Sequence, residues 1–166
     1  SFVAEVDGFP TLFNWDTVAF EDGTIEGSLR IVGAINDPDL YGTLTARNLT
    51  GSSVYVAETL GPTRSFFVFQ EKILEIRETV VPAGEARPTF SGTMILNRWS
   101  PEEYEFKIRS TEEAPVHVDH NFGGVVVDGH AIGTLTIYGT KTRVEVSGDV
   151  RAWNTSITLG EAPEPT

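Results

Sequence analysis

Gly27-Ser28-Leu29-Arg30-Ile31-Val32-Gly33 and Gly133-Thr134-Leu135-Thr136-Ile137-Tyr138-Gly139 are two versions of one string, Gly-x-Leu-x-Ile-x-Gly. At the same distance beyond each stands a second pair, Gly42-Thr43-Leu44-Thr45-Ala46-Arg47-Asn48 against Gly148-Asp149-Val150-Arg151-Ala152-Trp153-Asn154. Aligned without a gap, residues 27–48 and 133–154 agree at Gly27, Leu29, Ile31, Gly33, Gly42, Ala46 and Asn48, which is 7 of 22 positions. Ordinary composition gives about one or two such agreements. Within each string the shared residues recur at every second position, so they lie on one face of a β-strand. That face is apolar and low in relief. Repetition of this kind points to units that bury an apolar face against the next unit.

Working outward, almost every segment alternates at period 2 and helical periodicity is nearly absent. Glu103 to Ser110 is the clearest half-buried strand, with Tyr104, Phe106 and Ile108 on one side and Glu105, Lys107 and Arg109 on the other. Turn chemistry is expected at Glu21-Asp22-Gly23, Asn36-Asp37-Pro38-Asp39, Gly61-Pro62 and Pro82-Ala83-Gly84. The tetrad Ser100-Pro101-Glu102-Glu103 predicts one helical turn, because it combines a capping Ser, Pro at the first helical position and Glu three residues after the Ser. Short strands separated by turn residues predict an all-β fold in one domain spanning residues 1–166. Glycines sit at both ends of the repeated apolar faces, where a strand bends or is closely approached. The expected architecture is a repeat-like antiparallel sheet curved around an apolar groove. The alternative is a closed β-sandwich.

The formal net charge of −12 and the lack of any Lys/Arg cluster argue against nucleic acid and anionic membrane surfaces. With no cysteine there are no disulfides and no thiolate zinc sites. The longest apolar run, Gly123 to Val127, is one strand and far short of the roughly 20 residues that span a bilayer. The chain begins at Ser1 without Met, basic n-region or apolar signal. It ends in a Pro-rich polar tail, residues 160–166, expected to be disordered. Both ends read as cuts, so an internal fragment of a longer repeat protein is expected.

The Gly-x-Leu-x-Ile-x-Gly unit answered by Gly-x-Leu-x-Ala resembles the TamB family of the AsmA-like superfamily. In that family such strands alternate with stretches of the form D-G-x-x-x-G-x-L-x-I-x-G. Val127-Asp128-Gly129-His130-Ala131-Ile132-Gly133-Thr134-Leu135-Thr136-Ile137-Tyr138-Gly139 is similar to that pattern, and the likeness extends from Gly27 to Leu159. The resemblance implies a periplasmic β-structure folded like a taco around a hydrophobic interior, in a parent anchored in the inner membrane by an N-terminal helix. It further implies that the parent carries phospholipid between inner and outer membrane and supports outer-membrane biogenesis with a BamA-type outer-membrane partner. Physically, a half-folded sheet leaves an apolar trough that acyl chains fill at about 0.8 kcal/mol per buried methylene.

Enzymatic chemistry finds little footing. His117-Val118-Asp119-His120 resembles the end of the metallo-β-lactamase-like motif, but Pro115 stands where its first His belongs, and the chain has three histidines. The bland reading, a solvent-facing polar edge beside Val116 and Val118, is preferred, and no metal or other cofactor is expected. The acids Glu102-Glu103, Glu112-Glu113 and Asp37/Asp39 sit on loop-like stretches, and no Gly-x-Ser-x-Gly elbow occurs. Asn48-Leu-Thr50 and Asn154-Thr-Ser156 are formal sequons, but they align in the repeat, so an inherited turn explains the asparagines without glycans. Trp15, Trp99, Trp153, Tyr55 and Tyr138 represent the rival function, a sugar- or protein-binding module; Trp153 falls on the face opposite Val150 and Ala152. The expected groove residues are Leu29, Ile31, Leu44, Leu74, Ile76, Met94, Leu96, Leu135, Ile137, Val144, Val146 and Val150, with phospholipid acyl chains as partner and no catalytic residue.

Overall fold

In the computed structural model, period-2 alternation becomes ten strands, and the residues described are 2–5, 18–53, 56–121 and 124–159. They are β1 (Phe2–Glu5), β2 (Val18–Ala34), β3 (Asp37–Ser53), β4 (Val56–Glu71), β5 (Ile73–Val80), β6 (Thr89–Asn97), β7 (Ser100–Ser110), β8 (Val116–Asn121), β9 (Val125–Thr140) and β10 (Val144–Leu159). No helix occurs among the described residues. The strands make one antiparallel sheet in the order β1-β2-β3-β4-β5-β6-β7-β9-β10, not closed into a barrel. The expected tail at 160–166, Trp15 and Tyr55 lie outside the described residues.

Four stretches read as turns or as a helical turn lie within strands. Glu21-Asp22-Gly23 is inside β2, where the ladder to β3 slips register and Asp22 Oδ1 accepts the Gly23 N–H at 2.7 Å. Gly61-Pro62 is inside β4 as a cis peptide, and the Gly61 N–H bonds to Pro82 O at 2.7 Å. Ser100 to Glu103 opens β7 instead of a helical turn: the two residues before it, Arg98 and Trp99, have φ of 51° and 67°. Such a pair closes a two-residue hairpin and leaves Pro101 at the strand start, where its missing N–H is tolerated. The fourth concerns Asn48 and Asn154. Each is an extra, left-handed residue in a strand (φ 53° and 46°), where the ladder slips by one. These are β-bulges, a role that Asn fills because its short polar side chain tolerates this conformation.

The internal repeat is structural. Gly27 faces Leu44, Leu29 faces Gly42 and Ile31 faces Leu40 in the β2–β3 hairpin. In the same order Gly133 faces Val150, Leu135 faces Gly148 and Ile137 faces Val146 in β9–β10. Glycine is required at these crossings: a Cβ on Gly42 would come 2.1 Å from Ser28 O, and one on Gly148 2.0 Å from Thr134 O.

One geometric mismatch shapes the sheet. The outer half of β9 pairs with β8, which meets β4 through Val56↔Val118, while the other half pairs with β7. Between β4 and β9 there are thus three strands at one end and a single strand at the other. With ~4.8 Å between neighbours, that is about 19 Å of sheet against about 10 Å. The sheet must bow. Phe106, only 2% exposed, is buried among side chains of β4, β5, β6, β7 and β9. Leu74, Met94 and Phe106 form the centre of the core, with Phe67, Phe69, Ile76, Phe90, Leu96, Tyr104 and Ile137 packed around them. Phe106 stacks on Tyr104 at 5.1 Å and tilts against Phe90 at 5.3 Å.

At one end of the strands the turns are clipped together. Lys72 Nζ donates to Asp37 Oδ1 at 2.7 Å and to Pro38 O at 2.8 Å, and Trp99 Nε1 donates to Ile35 O at 2.7 Å.

Candidate functional site

Residues directly opposite one another in an antiparallel ladder share a face. Following the pairs across the sheet assigns every expected groove residue to one side. Leu29 and Ile31 face Gly42 and Leu40; Leu44 faces Phe67; Phe67 and Phe69 face Ile76 and Leu74; and Leu74 faces Met94. Met94 faces Tyr104, two residues from Phe106, which faces Ile137; Ile137 faces Val146, and Val144 and Val150 flank it at period 2. Leu96 follows Met94 at the same period. The opposite face carries Glu75, Arg77, Glu105, Lys107, Arg109, Glu145, Asp149 and Arg151, all exposed. One side is thus predominantly apolar, while the other mixes these charges with the exposed apolar residues Val32, Phe66, Ile73 and Ile95.

The apolar side divides in two. At its centre Leu74 and Met94 are 5% and 2% exposed, inside the protein's own core, and Ile76, Leu96 and Ile137 pack on them. Aromatic side chains fill this region, so these five are core residues in this chain and the middle of the face holds no open channel. Towards the flanks Leu29, Leu44 and Leu135 are half-buried. Ile31, Val144, Val146 and Val150 are 57%, 60%, 63% and 51% exposed.

Two more residues belong to the open flank and were not expected there. Ile157 faces Val127 and Leu159 faces Val125 across β9–β10, at 65% and 78% exposure. Simple alternation from Val150 puts both on the charged side; the extra residue at Asn154 returns them to the apolar side. On β10 the apolar side reads Val144, Val146, Gly148, Val150, Ala152, then Thr155 beside Gly129 at the bulge, then Ile157 and Leu159. Phe67, Phe69, Phe90, Tyr104 and Phe106 lie outside the expected groove set, although alternation already puts Tyr104 and Phe106 on the side away from Glu105 and Lys107. Their bulk closes the centre.

The histidine string lies on β8 at the point where it bridges β9 and β4. His117 Nε2 is 2.7 Å from Asp128 Oδ1 and Nδ1 is 3.3 Å from Glu58 Oε1, while the ring stacks on His130 at 5.2 Å. The hydrogen bond to Asp128, helped by Glu58 and opposed by partial burial, raises the His117 pKa above its ordinary value. Glu58 Oε2 is buried without a hydrogen-bond partner. Among the described residues no three His, Asp or Glu side chains are placed to hold a metal ion.

Of the aromatics of the rival reading, the three among the described residues, Trp99, Trp153 and Tyr138, are dispersed. Trp153 is half-buried against His130 at 6.3 Å. Tyr138, bonded to Glu103 at 2.8 Å, stands eight residues from His130 along β9, about 27 Å at ~3.4 Å per residue. Trp99 is at the β6–β7 turn. They do not form one stacking surface.

No protein-family model, no curated protein and no solved structure matches this chain.

Proposed function

We propose that this chain is a stretch of a lipid-carrying trough of the TamB kind, with acyl chains lying along the open flank of its apolar face. The observation that carries the reading is the exposed row on β10, continued by the half-buried Leu135 on β9. This apolar row, interrupted only by Thr155 at the bulge, runs along a 16-residue strand and extends about 50 Å at ~3.3 Å per residue, longer than an extended acyl chain. Soluble surfaces seldom leave such a row open without a use for it. The charges on the opposite face keep the sheet in water, and head groups need no partner on the apolar side.

In this reading the central residues Leu74 and Met94 hold the sheet's curvature and do not touch lipid. Contact falls on Ile31 at one flank and on Val144, Val146, Val150, Ile157 and Leu159 at the other, with Leu29, Leu44 and Leu135 beneath. A periplasmic parent anchored in the inner membrane, moving phospholipid towards the outer membrane beside a BamA-type protein, completes the proposal.

The test uses a photo-crosslinking residue at Val146 or Val150, with Ser147 on the charged face as control. Exposed to vesicles of phosphatidylethanolamine and phosphatidylglycerol, the first two sites should capture lipid and the third should not. Val150→Asp should cut capture at 146 several-fold while leaving a cooperative melt, because the site is half in water already. Equal capture at Ser147, or none at Val146 and Val150, would sink the proposal.

A further inference from the structure

We infer that the free edge of β10 is a strand-addition site, and that its occupant is an antiparallel strand of the β4 kind, with large apolar side chains opposite Gly148 and Val150 and a small residue opposite Ala152. The inference stands on the backbone edge and the internal repeat, and is separate from the lipid reading, which concerns the side-chain face.

The two hairpins share register, glycine crossings and bulge, so β10 is the equivalent of β3. On the side away from its hairpin partner, β3 pairs with β4: Gly42 faces Phe69, Leu44 faces Phe67 and Ala46 faces Ser65. Among the described residues β10 has no partner on that side. The effect of the missing neighbour is visible at equivalent residues. Leu40 is 4% exposed and its counterpart Val146 is 63%; Ala46 is 0% exposed and its counterpart Ala152 is open to solvent.

A long flat edge is normally blocked by charged side chains, above all Lys, by Pro or by a bulge; the charges of β10, Glu145, Asp149 and Arg151, all lie on one face of the strand and alternate with apolar residues. β10 contains no Lys and no Pro. Its bulge at Asn154 is no barrier, because the same bulge at Asn48 lies within a ladder that resumes at Leu49↔Thr63. The edge therefore keeps the geometry of a strand already paired on both sides elsewhere in the same chain. The equivalence also gives a register: Asp149, the counterpart of Thr43, should face the position that Val68 holds in β4.

The chain has no cysteine, so the register can be trapped directly. The probe is a synthetic peptide of residues 63–71 with a solubilising Lys tail and one Cys, offered to the Asp149→Cys chain under mild oxidation. With the peptide Cys at position 68 the disulfide should form about fivefold faster than with Cys at 67, since a one-residue slip turns the side chain to the other face. A scrambled peptide should give the slow rate. Equal rates for all three peptides overturn the inference. So do disulfide-linked dimers of the Asp149→Cys chain that the peptide does not suppress, since the edge would then belong to a second copy. Val146→Asp keeps the backbone edge intact, so peptide trapping should persist in a variant whose lipid capture is reduced, and the two proposals can fail independently.

Discussion

Asn48 and Asn154 hold the same backbone conformation, φ 53° and 46°, each as the extra residue of its strand. β3 is paired on both sides of Asn48, whereas among the described residues β10 is paired on one side of Asn154. The two sites are one device in two settings. The left-handed conformation costs an ordinary side chain ~1–2 kcal/mol, and glycine none of that.

Asn48→Ala is accordingly expected to destabilise the chain by about 1 kcal/mol, and Asn48→Gly to be nearly neutral. Asn154→Ala should cost less than Asn48→Ala, because the free side of β10 can relax. Urea denaturation of the three variants measures the order. Equal losses for Ala and Gly at Asn48 would mean that the asparagine side chain, and not the backbone conformation, matters there.

The division of the apolar face into a filled centre and an open flank has an energetic signature. Phe106→Ala should cost about 3–5 kcal/mol, the usual loss for a large buried aromatic. Val146→Ala, on the same face at 63% exposure, should stay within about 0.5 kcal/mol. A large loss at Val146 would mean that the flank is covered in solution.

His117 couples the β8 junction to pH. Its folded pKa is raised, principally by the hydrogen bond to Asp128, so the protonated form favours the fold. The stabilisation is complete below the unfolded histidine value of about 6.5 and is lost as pH rises through the higher folded value. The Tm should therefore fall between pH 6 and pH 8 by more in the native chain than in His117→Gln. The difference should not exceed about 3 °C, because the pair is partly exposed. Parallel pH profiles would remove His117 from the junction's energetics.

Lys72 and Asp37 clip two turns together, and their hydrogen bond lowers the Asp37 pKa and raises that of Lys72. The contribution is present above the unfolded aspartate value and is lost as pH falls through the lowered one; on the alkaline side it is lost as pH rises through the raised lysine value. Lys72→Met should lower the Tm at pH 7 by no more than about 3 °C, and by less in 1 M salt. An effect unchanged by salt would point to the stem's packing instead of the charge.

Period-2 alternation alone makes this chain all-β and assigns the apolar residues of each strand to a face up to its bulge; beyond Asn154 it puts Ile157 and Leu159 on the wrong side. Alternation is a property of adjacent residues, so it survives without knowledge of the partner strand; the string from Gly27 to Gly33 and its copy from Gly133 to Gly139 were enough to recover the paired hairpins. What Gly23, Gly61-Pro62, Asn48 and Asn154 do was decided only in the tertiary structure. A glycine or a left-handed asparagine bends the chain equally well in a turn and in a bulge, and only hydrogen bonds to a distant strand choose between them. The same holds for the site. Leu74 and Val146 look alike in sequence and lie on one face, but one is packed among the core side chains of the neighbouring strands and the other stands at an edge. Their burial depends on how many strands lie beside them, which no local pattern encodes.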